Sequence, residues 1–196
     1  RGVERLLRDI RKCPDDALRL IRLVADSERS CIDLAAQYGM GIAMADPVAN
    51  PALIGPKMYE RFVYPFTKEL TDYAYEKTGK KVSLHMCGQT ERIWDYFKKY
   101  ELNEVSLDNI VDLEKAAQEL GPHIPIAGNV DPVEIILNGC KEEITQAVRS
   151  CISAGLKSRK GYVLASGCDI PETTRPEQIE SFMEAARAYF RRKEAR

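Results

Sequence analysis

Short apolar segments alternate with longer helix-like segments through most of this chain. Five apolar segments have the length of a β-strand, and each is followed by a stretch in which apolar residues recur at helical spacing. Two further helical stretches precede the first strand. Strands and helices that alternate in this way predict a parallel sheet covered by helices. The predicted strands lie in MGIAMADP, KKVSLHMCG, NEVSLDN, IPIAGNVDP and GYVLASGCDIP.

The number of strand–helix units decides between two architectures. A (β/α)8 barrel takes about 250 residues, whereas this chain has 196. We therefore predict an α/β fold of the TIM-barrel type of which only the C-terminal five βα units are present. The rival is an open, doubly wound sheet, but no G-x-G-x-x-G motif follows a strand. Because no linker or repeat interrupts the pattern, we predict one domain over residues 1–196.

Proline, glycine and threonine mark several predicted helix boundaries. A helix that opens at Pro56 is expected to end at Gly79, and Pro65 inside it predicts a kink or a break. The segment GQTERIWDYFKKYE is predicted to form an amphipathic helix with Thr90 as its N-cap. The last helix, RPEQIESFMEAARAYFRRKEAR, is expected to reach the C-terminus.

Composition excludes several classes of function. The formal net charge of −1 argues against a nucleic-acid binder, which usually carries a basic excess. Neither an apolar run of about eighteen residues, which a membrane span needs, nor a signal-peptide pattern is present. Six cysteines without a framework spacing indicate a reduced, cytoplasmic protein. The chain begins RGVER, without an initiator methionine, which suggests a fragment of a longer protein.

The stretch LHMCG brings an imidazole and a thiol to the end of a predicted strand. Residues i and i+2 of a strand point to the same side, so His85 and Cys87 are expected to face the same way. Cys168 also lies just past the end of a predicted strand. A barrel gathers all strand C-termini on one face, where the three side chains could converge. One imidazole and two thiolates suit Zn²⁺, and three protein ligands leave the fourth position open, as in catalytic zinc sites.

Two other interpretations of LHMCG stay open on the residues alone. Cysteine is often a small buried hydrophobic residue, so the motif can be a packing pair. His85 and Cys87 can also be a base and a nucleophile, although i and i+2 neighbours on one strand rarely align for that reaction. We interpret the other cysteines, which lie on predicted helices or at their ends, mostly as packing residues: Cys13, Cys31, Cys140 and Cys151.

Four polar residues at predicted strand ends are further candidates for the site. Asp46 either orients a substrate or ligand or caps a turn. Asp108 is a candidate partner of His85 or stand-in fourth metal ligand, with the N-cap of the following helix as the alternative. Asn129 and Asp131, in AGNVDP, are candidates for contact with the substrate or cofactor.

From Met44 to the C-terminus the chain resembles the uroporphyrinogen decarboxylase superfamily. The resemblance rests on ADPVANPALIGPKMYERFVYP, SLHMCGQT, VSLDNIVDLEKAAQELG, IPIAGNVDP and GYVLASGCDIPETTRPEQIESFMEAAR. H-x-C followed far downstream by a cysteine is similar to the corrinoid-dependent methyltransferase branch, which includes methylcobamide:coenzyme M methyltransferases. The resemblance implies a (β/α)8 barrel and zinc ligands at His85, Cys87 and Cys168.

The same resemblance implies a zinc-dependent methyl transfer. Zinc would bind the acceptor, a thiol such as coenzyme M, as a thiolate. The thiolate would attack the methyl group of a methylated corrinoid (methylcobalamin) that a partner protein carries, and some relatives use tetrahydrofolate as acceptor instead. The alternatives are a lyase like uroporphyrinogen decarboxylase, which needs no metal, and a non-catalytic corrinoid- or partner-binding protein. Five units alone would expose strand edges, so a second copy in a homo-oligomer, another chain or further residues are expected to cover them.

Overall fold

Helices and strands alternate along the chain as the sequence predicts. The computed structural model describes the backbone of residues 1–194 and the side chains of residues 1–191. The predicted end of the last helix at residues 195–196 lies outside the described residues. The strands are β1 (Ala43–Asp46), β2 (Val82–Met86), β3 (Leu102–Leu107), β4 (Ile126–Val130) and β5 (Tyr162–Ser166). The α-helices are α1 (Val3–Lys12), α2 (Pro14–Gln37), α3 (Pro56–Phe62), α4 (Tyr64–Thr78), α5 (Trp94–Phe97), α6 (Leu113–Glu119), α7 (Lys141–Gly155) and α8 (Pro176–Glu194). A 3₁₀ turn (Glu91–Ile93) precedes α5, and a π-helical segment (Pro132–Leu137) follows β4.

The strands form one sheet in the order β1-β2-β3-β4-β5. β1 pairs with β2 in parallel, with Asp46 opposite Met86. β4 pairs with β5 in parallel, with Val130 opposite Ser166. Each strand lies beside the next one in the chain, as in a barrel wall, whereas a doubly wound sheet reverses its strand order at a switch point. The rival open-sheet interpretation is therefore wrong.

The chain divides into two compact units, Arg1–Val105 and Ser106–Arg196. In the first unit, α2 packs against α4 and α1 packs against α2. In the second, α7 packs against α8, and both cover β4 and β5 through one apolar cluster. Within that cluster, Ile144, Val148 and Ile152 of α7 are fully buried at a spacing of four residues, which is one face of a helix. The single-domain assignment stays a prediction.

The expected interruption at Pro65 is a complete break. α3 ends at Phe62, and α4 begins at Tyr64 with Pro65 in its first turn. Proline lacks the backbone N–H that would continue a helix, but it fits the first turn, where no intrahelical bond is required. α4 ends at Thr78 with Gly79 as its C-cap, so the predicted stop at Gly79 is confirmed. Every helix in the described part of the chain is too short or too polar to cross a membrane.

The helix predicted over GQTERIWDYFKKYE is wrong in extent, because only a 3₁₀ turn and the short α5 form there. Thr90 is not an N-cap through its side chain, since its backbone has φ −103° and ψ −2° instead of the extended conformation that a capping residue takes. Its buried hydroxyl accepts a hydrogen bond from Trp94 Nε1 at 3.1 Å. Trp94 and Phe97 are buried. Packing of large aromatic side chains therefore decides the local structure here, against the helical pattern.

The interpretation of the helix cysteines as packing residues is wrong for most of them. All six cysteines of the chain are free thiols. Cys13, Cys31 and Cys140 are exposed, because they lie between helices, on an outer helix face, or at a helix start. Only Cys151 packs against a core, on the inner side of α7.

Candidate metal and substrate site

β2 has a buried face and a half-buried face. Val82, Leu84 and Met86 are each at most 2% exposed, whereas Ser83 and His85 are partly accessible. This alternation follows from the two-residue period of a strand. Cys87, the first residue after β2, is also partly accessible and continues the face of His85. The prediction that His85 and Cys87 face the same way is confirmed.

The donor atoms of these two residues lie side by side. His85 Nε2 and Cys87 Sγ are 3.2 Å apart. Two ligands of one tetrahedral zinc ion, at bond lengths of about 2.0 Å for nitrogen and about 2.3 Å for sulfur, would be separated by roughly 3.5 Å. A small adjustment of either side chain would therefore let both bind one ion. The pair is a candidate His/Cys metal site.

A glycine and a buried asparagine fix the backbone after Cys87. Gly88 has φ +81°, and a Cβ at this position would lie 2.8 Å from Asn50 Cγ. Asn50 is 6% exposed, and its Oδ1 accepts hydrogen bonds from the N–H groups of Ala52 and Leu53. Sequence reasoning missed Asn50, although the dipeptide Asn-Pro is a known signal for a turn.

Asp46 ends β1 and caps the turn that follows. Its Oδ1 accepts hydrogen bonds from Val48 N at 3.2 Å and from Ala49 N at 2.9 Å. This is the turn-capping arrangement typical of aspartate. Both bonds use Oδ1. A substrate role for Asp46 stays a prediction.

Asp46 also borders an apolar cavity and a buried tyrosine pair. The cavity, of about 220 Å³, is lined mainly by apolar side chains of α1 to α4 such as Ile21 and Phe62. Tyr59 and Tyr100 share a buried hydrogen bond of 2.9 Å between their hydroxyl groups. Burial raises the pKa of Tyr59, and the negative charge of Asp46 raises it further. Burial also raises the pKa of Tyr100, so both tyrosines stay neutral under physiological conditions.

Asp108, at the end of β3, belongs to a turn and not to the helix that follows. Its Oδ1 accepts a hydrogen bond from Ile110 N at 3.1 Å. The N-cap of α6 is Asp112, whose Oδ1 accepts from Glu114 N and Lys115 N at 3.0 Å. The N-cap alternative for Asp108 is therefore wrong, because an intervening turn delays the helix by four residues.

Asn129, the penultimate residue of β4, is bonded to three other segments of the chain. It is 6% exposed, and its Nδ2 donates to the carbonyl groups of Asp108 at 2.9 Å and Val111 at 2.8 Å. Its Oδ1 accepts from Cys151 Sγ at 3.8 Å. Burial raises the pKa of the Cys151 thiol and keeps it a neutral donor. Asn129 thereby holds both ends of the turn after β3.

Asp131 likewise uses both carboxylate oxygens inside the protein. Oδ1 accepts from Val133 N and Glu134 N, each at 2.8 Å, and caps the π-helical segment. Oδ2 accepts from Asn109 Nδ2 at 2.8 Å. Contact of Asn129 and Asp131 with a substrate stays a prediction, and these bonds favour a structural contribution. Asn109, which the sequence analysis did not single out, is the residue that links the two loops.

Cys168 follows β5 by two residues and is half-buried. The residue before it, Gly167, is buried and donates its N–H to the carbonyl oxygen of Val130 at 2.8 Å. A Cβ at position 167 would lie 2.3 Å from the backbone nitrogen of Asn109. Close backbone approach therefore requires glycine immediately before the proposed ligand.

The family of the chain follows from a match over nearly its whole length. The family model described as Uroporphyrinogen decarboxylase (URO-D) matches residues 1–189. The chain belongs to the uroporphyrinogen decarboxylase family. The sequence-based resemblance is thus confirmed.

The proteins to which this chain is similar include methyltransferases and decarboxylases. A methylcobamide:CoM methyltransferase, MtbA, of Methanosarcina acetivorans is 32% identical over 76% of this chain and 42% of its own length. A methylated-thiol–coenzyme M methyltransferase of Methanosarcina mazei is 27% identical over 95% of this chain and 48% of its own length. A uroporphyrinogen decarboxylase of Prochlorococcus marinus is 33% identical over 67% of this chain and 37% of its own length. The chain thus spans less than half the length of each of these relatives.

One solved structure supports the fold. A methyltransferase from Methanosarcina mazei superposes with a TM-score of 0.82 over 96% of this chain and 54% of its own, at 20% sequence identity. At this identity the likeness concerns the fold alone. It confirms the predicted fold class, an α/β arrangement of the barrel type of which this chain carries five βα units.

Proposed function

We propose that this chain is part of a zinc-dependent methyltransferase that moves a methyl group from a methylated corrinoid to a thiol such as coenzyme M. The observation that carries the proposal is the contact of 3.2 Å between His85 Nε2 and Cys87 Sγ at a strand end. The names of the methylcobamide:CoM and methylated-thiol relatives support the donor and the acceptor. Tetrahydrofolate is the alternative acceptor. The corrinoid is proposed to arrive on a partner protein.

The proposed zinc ligands are His85, Cys87 and Cys168. All three side chains are half-buried, and each offers a nitrogen or sulfur donor that zinc accepts. One imidazole and two thiolates match the donor preference of zinc and leave one position for the acceptor. Zinc bound there would lower the pKa of the acceptor thiol, so that the acceptor is held as a thiolate.

The remaining site residues are proposed to orient the reactants. Asp46 would direct the acceptor through Oδ2, since Oδ1 is occupied by backbone N–H groups. Asp108 would orient a ligand or the substrate from the end of β3. In the proposed reaction, the acceptor sulfur would form a bond to the methyl carbon while the carbon–cobalt bond breaks, and the electron pair of that bond would stay on the corrinoid.

A lyase that acts on a tetrapyrrole is the second candidate function. The decarboxylase relative at 33% identity favours it. A decarboxylase of that type needs no metal, so the metal content of the protein discriminates between the two candidates. For either function we propose a cytoplasmic location, which the free thiols favour, and a second copy or another chain at the exposed strand edges.

Elemental analysis of the purified protein tests the metal site. We expect about one zinc per chain in the wild type and none in Cys87→Ala or Cys168→Ala. Cys31→Ala, which removes an exposed thiol, is the matched control and should keep its zinc. A wild-type protein that binds no zinc, even when zinc is supplied, would favour the lyase.

Turnover is measured next, as methyl transfer from methylcobalamin to coenzyme M. Wild type and Cys31→Ala should be active, and Cys168→Ser should be inactive and free of zinc. Full activity of a zinc-free Cys168→Ser protein would overturn the proposed mechanism.

A further inference from the structure

The backbone immediately before Cys168 is anchored to β4. Ser166 is the last residue of β5 and pairs with Val130. The N–H of Gly167 then donates to the carbonyl oxygen of the same Val130 at 2.8 Å. Strand pairing therefore extends one residue past β5, up to the peptide group of Cys168.

The same glycine lies directly against the backbone of Asn109. A Cβ at position 167 would come within 2.3 Å of Asn109 N and 2.7 Å of its Cα, where real Cβ contacts are essentially never closer than 3.0 Å. Both atoms belong to the backbone, which yields less readily than the end of a flexible side chain. The position of Asn109 therefore limits how far the backbone before Cys168 can move in that direction.

Asn109 is in turn held by a carboxylate that is itself fixed. Its Nδ2 donates to Asp131 Oδ2 at 2.8 Å. Asp131 Oδ1 accepts two backbone N–H groups, from Val133 and Glu134, at 2.8 Å each. Hydrogen bonds to an ionised carboxylate are stronger than those between neutral groups. Two backbone N–H donors thus fix the carboxylate that holds Asn109.

We propose that Asn109 and Asp131 are positioning residues for Cys168, which set the backbone of this cysteine before any metal binds. The thiol would then be presented in one orientation, and metal binding would not have to order the loop. The inference rests on the proposed function in so far as it takes Cys168 as a zinc ligand. Neither positioning residue is proposed to touch the metal.

The test uses Asn109→Ala and Asp131→Ala, with Asp112→Ala as the matched control. Asp112 also accepts two backbone N–H groups at a helix start, so its loss reproduces the loss of a cap. Asn109→Ala leaves both caps intact and decides the matter if Asp131→Ala does not fold. Thermal unfolding of each variant shows that it is folded.

The first readout is the rate at which iodoacetamide alkylates each cysteine of the metal-free protein, as followed by mass spectrometry. We expect Cys168 to react about fivefold faster in Asn109→Ala and Asp131→Ala, the scale of one lost hydrogen bond. The exposed Cys140 should react at an unchanged rate in all variants. A Cys168 rate that is the same in Asn109→Ala as in Asp112→Ala would overturn the proposal, whatever the metal result.

The second readout is Co²⁺ affinity, followed by the thiolate-to-cobalt charge-transfer absorption. We expect affinity to fall about fivefold to tenfold in Asn109→Ala and Asp131→Ala and to stay unchanged in Asp112→Ala. A wild type that binds neither Co²⁺ nor Zn²⁺ but shows the expected alkylation pattern would refute the proposed metal site and leave the positioning role standing. Unchanged affinity together with unchanged alkylation would refute the positioning role alone.

Discussion

The two strand-end regions hold their cysteines in different ways. At the end of β2, His85 lies in the strand and Cys87 follows it directly, and the chain then turns at Gly88. At the end of β5, Cys168 lies beyond the strand. The backbone before it is bonded to Val130 of β4 and lies against the backbone of Asn109, whose side chain is bonded to Asp131. A donor on a strand is oriented by main-chain hydrogen bonds, whereas a donor on a loop needs a network of side chains to be equally well ordered. The region after β5 should therefore respond more strongly to single substitutions.

Gly167→Ala should have the largest effect on stability. The new Cβ would overlap the backbone of Asn109, and the required shift should cost about 3 kcal/mol of unfolding free energy. Gly41→Ala is the control, because its Cβ would meet only the flexible Lys80 side chain at 3.7 Å, and it should change stability by less than about 0.5 kcal/mol. Urea denaturation measures both. Equal unfolding free energies for Gly167→Ala and Gly41→Ala would show that the backbone after β5 accommodates the added Cβ without cost.

Asn129→Ala and Asn50→Ala compare the two regions directly, since both side chains are 6% exposed. Asn129→Ala removes the amide that donates hydrogen bonds to the carbonyl groups of Asp108 and Val111. This loss should lower the unfolding free energy by about 2 kcal/mol. Asn50→Ala removes only an acceptor for N–H groups within its own turn, at about 1 kcal/mol. Urea denaturation gives the two values. A larger loss for Asn50→Ala would reverse the comparison.

Gly88→Ala tests the region after β2. The left-handed conformation at φ +81° should cost an alanine roughly 1–2 kcal/mol, and contact with Asn50 adds to it. In an Asn50→Ala background the steric part should disappear and the conformational part should stay, so the two substitutions should not be additive. A double-mutant cycle measured by urea denaturation isolates the coupling. Strict additivity would mean that the contact with Asn50 is relieved without cost.

Glu69→Gln should have the smallest effect on the unfolding free energy. It serves as a reference, because Glu69 lies outside both strand-end regions. Arg22 donates twice to Glu69, at 2.7 Å each, and Arg29 lies 2.9 Å away. The hydrogen bond from Arg22 is the main cause of a lowered pKa of the Glu69 carboxyl group. This partly exposed contact between α2 and α4 should contribute about 0.5–1 kcal/mol at neutral pH.

The pH dependence of that contribution has a definite sign. The folded pKa of Glu69 lies below the unfolded value of about 4.3. The stabilisation is therefore present above the unfolded pKa and is lost as the pH falls through the folded pKa. Wild type and Glu69→Gln should differ in urea midpoint at pH 7 and converge in acid. A difference that persists in acid would assign the effect to packing.

Much of the fold was predictable because its signals are local. The two-residue alternation of β2, the proline at the start of α4 and the spacing of apolar residues in α7 each follow from nearby sequence. The structure of the segment after Cys87 was not predictable from local sequence. Its helical pattern is too short to form a stable helix alone, and the burial of Trp94 and Phe97 overrides it.

The candidate site was predictable only where a motif reports it. The H-x-C motif predicts the relative orientation of its two side chains, because residues i and i+2 of a strand point to the same side. The roles of Asn109, Asn129 and Asp131 depend on pairings more than seventeen residues apart, which no local pattern contains. Asp108 and Asp112 are equally good caps by residue type, and the turn between them decides which one starts the helix.

The double donation of Asn129 has a consequence for motion. One carboxamide group holds the carbonyl groups at both ends of the turn from Asp108 to Val111. The turn cannot open at one end while the other stays as it is without leaving part of that buried amide unsatisfied. The turn should therefore open as a whole. The backbone amide hydrogens of Ile110 and Val111 should exchange with solvent together, as one cooperative unit.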